Sequence, residues 1–166
     1  MYHEMTVFGL ALDALSQRPV VILKDAQEKT TVPIWISNME VVAIAAELIS
    51  RDIASQSGRG DLLTALMQEM AMTVAMIAVD DLRDGVFTAS IRFVRGEEEV
   101  KVAVRPSEAL ITALKYKLPL MVADDVVARA ALLEVKDETS VRESDARRFA
   151  DFLENLDPEE MGKYPM

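Results

Sequence analysis

The chain carries the same order of features twice. Residues 10–23, LALDALSQRPVVIL, and residues 77–90, IAVDDLRDGVFTAS, share an aspartate, a turn and an apolar strand. Each is followed by a partner strand, a serine and a helix, at Ser37 and at Ser107, with displacements of about 68 and about 70 residues. A strand-hairpin-helix unit used twice predicts an α+β domain, its helices packed on one mainly antiparallel or mixed sheet. The 166 residues suit one such body over residues 1–132. From residue 133 the composition turns polar, and residues 133–166 read as a C-terminal helical appendage and tail. Ser140 to Glu143 has capping-box spacing, and Phe149, Phe152, Leu153 and Leu156 form one stripe of a terminal helix. That appendage is expected to dock on the main body or on a neighbouring subunit.

Local signals divide the first repeat. Thr6 to Leu12 reads as a strand, Val20 to Leu23 as a short buried strand, and Thr31 to Ile36 as its hairpin partner. Pro33 cannot donate to a ladder, which points to a sheet edge or a bulge. Ser37 and Glu40 have the spacing of a capping box opening a helix over about 38 to 53. Its polar strip is Glu40, Glu47 and Arg51. Residues 54–60, ASQSGRG, read as a loop, and Asp61 caps a helix with Leu62, Leu63, Leu66, Met67 and Met70 on one face.

In the second repeat, Thr73 to Val79 is apolar on both sides and reads as a central strand. Asp84-Gly85 signals a hairpin into a strand where Phe87, Ala89, Ile91 and Phe93 alternate with polar residues. Val100, Val102 and Val104 predict a half-buried strand that stops at Arg105-Pro106. Ser107 then reads as the N-cap of a helix, Glu108 as its first-turn acid, and Ala109, Leu110, Ala113 and Leu114 as the buried stripe. Leu120 to Ala123 is a short strand, and Asp124-Asp125 starts a brief helix. Met67, Met70, Met72 and Met76 are simplest as core filler.

Charge and composition narrow the function. With 28 acidic and 18 basic residues the net charge is −10, and no basic arm is evident. Nucleic-acid contact on such a body needs a local patch or bridging divalent cations. The absence of cysteine excludes disulfides, cysteine-ligated zinc and a thiol nucleophile. No apolar run reaches the ~20 residues of a spanning helix, and the first residues lack a basic leader, so a cytoplasmic location is expected, with no membrane partner.

Several residues have two readings each. Arg105 offers a planar fork beside the open amides of a helix start, which suits phosphate, or it pairs with a nearby acid. Glu40, Asp61 and Glu108 either serve their own helix starts or supply carboxylates to a site. Ser107 is a cap or a nucleophile, with no histidine or lysine base beside it in the sequence. Trp35 stacks a nucleobase or fills an interface or second core. His3, the sole histidine, falls in a terminus expected to fray, and Asp80-Asp81 and Asp124-Asp125 fit turn and cap duties.

Taken in order and spacing, four stretches resemble the bifunctional nuclease domain family. They are PVVILKD at 19–25, VPIWISNMEVVAIA at 32–45, DLRDGVFTA at 81–89 and RPSEALITAL at 105–114, the last followed by Pro119. The resemblance runs from about residue 5 to 130. It implies a compact α+β domain that forms homo-oligomers, dimers or higher, and cleaves both DNA and RNA with little sequence preference. Divalent metal help, Mg²⁺ or Mn²⁺, is implied, and no organic cofactor.

Position by position, the resemblance carries over Trp35 and Glu40 at the first strand-to-helix corner and Arg105, Ser107 and Glu108 at the second. Asp81 and Gly85 match its hairpin. The implied catalytic set is Arg105, Ser107, Glu108 and Glu40. Nucleic-acid or anion binding falls to Arg105, Trp35 and Arg59, and metal binding to Asp61 and Glu108. The chain departs from the family pattern in three places. A Thr-His-Asp run is replaced by Arg59-Gly60-Asp61, an aspartate before the Arg-Pro-Ser turn by Ala103, and another aspartate by Glu108. The alternative is a non-catalytic oligomeric binding module on the same fold.

Overall fold

Two three-stranded meanders, each followed by a helix, are joined by a short strand that comes late in the chain. The computed structural model describes residues 1–50 and 61–133. The first meander is β1 (Tyr2–Leu12), β2 (Pro19–Asp25) and β3 (Thr31–Trp35), leading into α1 (Asn38–Ser50). A short helix, α2 (Leu62–Glu69), precedes the second meander of β4 (Thr73–Arg83), β5 (Val86–Arg95) and β6 (Glu98–Val104). Then come α3 (Pro106–Tyr116), β7 (Leu120–Ala123) and α4 (Asp124–Ala130). The seven-stranded sheet runs β3-β2-β1-β7-β4-β5-β6, the same outward order on either side of β7. All neighbours are antiparallel except β4 and β7, so the sheet is mixed and the fold α+β. The doubled order of the sequence is therefore a doubled architecture.

Turn chemistry sets the hairpins. Asp84 and Gly85 both have positive φ, 51° and 76°, as a two-residue connection between twisted strands requires. Pro33 is tolerated because β3 is an outer strand of the sheet. Inside, Ile77, Val79, Ile91 and Phe93 meet Ala109, Leu110, Ala113 and Leu114 of α3 in a core that also holds Met5, Leu23, Ile34 and Ile44. Among the described residues, no helix is long and apolar enough to cross a membrane.

Four expectations are revised. β1 begins at Tyr2 because Tyr2 to Met5 pair with β7, so His3 does not fray: it lies opposite Val122 and contacts Asp124 at 2.8 Å. β6 is the sheet's other outer strand and is not half-buried, with Val100 46% and Val102 41% exposed. α2 docks only by Leu63 and Met67, leaving Leu62, Leu66 and Met70 exposed, so Met70 is not core filler. Asp80 and Asp81 belong to β4 and not to a turn. Asp80 sits where the β4–β5 register shifts and is held by Tyr2 and Lys101, while Asp81 pairs with Arg83 and Arg129. The loop with Arg59, the expected continuation of the first helix over residues 51–53, and the appendage from residue 134 on lie outside the described residues.

Candidate active site

Arg105 ends the second meander in an extended conformation, φ −69° and ψ 151°, and is the N-cap of α3. Pro106 takes the first helical position, where the missing N–H leaves no intrahelical bond unmade. The cap is therefore two residues ahead of Ser107, which was expected to fill it. Glu108 turns back onto the cap: Oε2 accepts the Arg105 backbone N–H at 2.9 Å, and Oε1 accepts Arg105 Nη2 at 3.1 Å. The start of α1 has a matching arrangement. Ser37 Oγ accepts the Glu40 N–H at 3.2 Å, and Glu40 Oε2 accepts the Ser37 N–H at 2.8 Å. Asp13 and Asp81, Ser37 and Arg105, and Glu40 and Glu108 are separated by one common interval, so the repeat aligns Ser37 with Arg105.

The two helix starts meet. Ser107 Oγ donates to Glu40 Oε1 at 2.6 Å, and Arg105 Nη1 lies 3.9 Å from the same oxygen. A single guanidinium thus stands between carboxylates from both halves of the molecule. Ser107 is 2% exposed, so its hydroxyl is committed to tethering α3 to Glu40 and is closed to substrate. The Arg105 side chain is 68% exposed and open to a ligand.

Charge reinforces this order. Burial pushes the Glu40 carboxyl upward, but the hydrogen bonds from Ser107 and Ser37 and the charge of Arg105 outweigh it and hold it below the usual range. The Arg105 hydrogen bonds lower Glu108 as well, and Glu108 in turn raises Arg105. Both acids are anionic at neutral pH.

The donor set bears on a divalent ion. Among the described residues no group of three or more His, Asp or Glu side chains could hold a metal by itself. Mg²⁺ beside phosphates is commonly bound by only one or two carboxylates, the rest of its shell being water and substrate oxygens. Glu40 and Glu108 are the two carboxylates that could be so used, and the cation between them is the Arg105 guanidinium.

Residues 21–135 match the bifunctional nuclease domain. The chain belongs to the bifunctional nuclease domain family. Over 162 residues it is 31% identical to "Uncharacterized protein Rv1829" of Mycobacterium tuberculosis strain H37Rv and to "Uncharacterized protein MT1877" of strain CDC 1551. Each alignment covers 95% of this chain and 96% of the relative.

This bifunctional nuclease domain gathers Arg105, Ser107, Glu108 and Glu40 at one corner and leaves Asp61 elsewhere. Asp61 caps α2, accepting the Thr64 N–H at 3.0 Å, and pairs with Lys115 at 2.6 Å. Lys115 lies in the last turn of α3, seven residues or about 10.5 Å of rise beyond Glu108, so Asp61 sits beside the far end of α3 from the Arg105 corner. Trp35 is half-buried near the corner, its Nε1 donating to Asp13 Oδ2 at 3.2 Å. Sequence reasoning passed over Asp13 as a site residue. The repeat marked that aspartate, yet nothing local told that it would reach from the first hairpin turn to Trp35.

Proposed function

We propose that the Arg105 corner is a phosphodiester site, and that this protein hydrolyses DNA and RNA in the cytoplasm, with little sequence preference. The observation that carries the reading is the exposed Arg105 guanidinium between Glu40 and Glu108, at the meeting point of two helix starts. The planar fork of Arg105 grips two phosphate oxygens and orients the scissile group. As Arg105 turns to the phosphate, Glu40 and Glu108 are released from it, with Glu40 kept in position by Ser107 and Ser37. Mg²⁺ or Mn²⁺ held by these carboxylates would lower the pKa of an attacking water and offset charge on phosphorus. The test uses metal-stripped protein with end-labelled single-stranded DNA and RNA, followed by added Mg²⁺ or Mn²⁺. Metal-dependent cleavage that falls at least about 100-fold in Arg105→Ala is expected. Background cleavage that the substitution does not alter overturns the proposal.

A second reading is favoured by a different observation. Ser107 is closed to substrate, and the described residues bring no imidazole to the corner. On that reading the domain is a non-catalytic homo-oligomer that binds anions at Arg105. The outward Met39, Val42 and Ile49 of α1 are apolar surface available for association. Light scattering that finds a monomer, together with turnover of nucleic acid, eliminates it.

A further inference from the structure

A cleft of about 490 Å³ opens between the two hairpin turns and reaches the start of α3 at Pro106, the residue between Arg105 and Ser107. Its volume lies within the range of small-molecule sites. Trp35 lines it, held at its edge by the bond from Nε1 to Asp13. Asp13 is itself fixed, accepting the Leu15 N–H at 3.1 Å and the Ser16 hydroxyl at 2.6 Å, so the indole is braced before any ligand arrives. Phe87 and Pro106 add apolar wall.

The remaining lining residue of note is Arg18. Among the described residues, Arg83, Arg92, Arg95, Arg105 and Arg129 each face an acid. Arg18 makes no ion pair with another described residue, although the molecule carries a net charge of −10. An unpaired guanidinium beside a braced aromatic ring complements a ligand that is planar at one end and anionic at the other. Both halves of that description fit a nucleotide.

We propose that this cleft takes a single unpaired nucleotide, its base against Trp35 and its phosphate toward Arg18. The inference rests on the phosphodiester reading of the adjoining corner and gives it a substrate class, single strands over duplex. A base stacked and paired in a duplex cannot reach a side chain in a cleft, whereas an unpaired base offers its π-face to an aromatic platform.

Trp35 is the sole tryptophan of the chain, so its fluorescence reports occupancy without turnover. The full-length protein in EDTA is titrated with AMP, adenosine and inorganic phosphate. Saturable quenching by AMP is expected, with weaker affinity for adenosine and no quenching by phosphate alone. Arg18→Ala lies on the exposed surface and is expected to weaken AMP about tenfold, equivalent to ~1.4 kcal/mol, while leaving adenosine unchanged. No saturable quenching by AMP, or equal AMP affinity in Arg18→Ala, overturns the proposal. The two readings fail separately: quenching without nuclease activity removes the hydrolytic function and leaves the cleft, and cleavage of single strands without quenching removes the cleft and leaves the corner.

Discussion

Ser107 shows how a residue's job depends on what lies across from it. Its sequence context, between a proline and a glutamate, fits an N-cap, yet Arg105 occupies that position and the hydroxyl is spent on Glu40. Asp61 is the opposite case, since the sequence marked it as a cap and a cap it is, with Lys115 added by the tertiary fold. Burial raises its pKa, but the bonds from Lys115 and Thr64 prevail and lower it from 3.8 to about 2. A carboxyl depressed on folding stabilises the native state above its unfolded pKa, and that contribution is lost as pH falls through the folded value. Asp61→Asn is therefore expected to lower Tm at neutral pH and to flatten its fall between pH 3.8 and about 2. Thermal melts across that window check it, and an unchanged acid limb contradicts the Lys115 pairing.

Elements were legible where their causes are local. The Asp84-Gly85 turn, the Ser37–Glu40 box, the edge position implied by Pro33 and the four residues of β7 all follow from neighbouring side chains. The misread parts depend on partners distant in sequence. Nothing around Tyr2 announces pairing with Ala123, and nothing in Val100 to Val104 tells that this strand is the outermost among the described residues. The candidate site divides the same way: each corner could be read, but not the Ser107–Glu40 bond joining them, nor the cleft behind Trp35. Met5 measures the non-local part for β1. It is fully buried opposite Leu120, so Met5→Ala is expected to destabilise by about 3 kcal/mol, whereas a frayed terminus would register almost nothing. Urea unfolding distinguishes the two.

At the scale of the whole molecule, stability should grade outward from the centre of the sheet. β1, β7 and β4 lie in the middle, while among the described residues β3 and β6 have a strand neighbour on one side only. Native-state hydrogen exchange is expected to be slowest at Val79 and Val122, and fastest at the outer amides of Glu98 to Val104. Uniform protection across the sheet would contradict the arrangement.

The position of β7 has one more consequence. Polypeptides leave the ribosome from the N-terminus, and β7 joins halves already synthesised. A nascent polypeptide halted before Leu120 holds both meanders and every residue of the Arg105 corner, but lacks the strand that pairs with β1 on one side and β4 on the other. The central strand of the sheet is therefore made after both meanders, and a product terminated before Leu120 would carry Glu40, Arg105, Ser107 and Glu108 on an unjoined sheet.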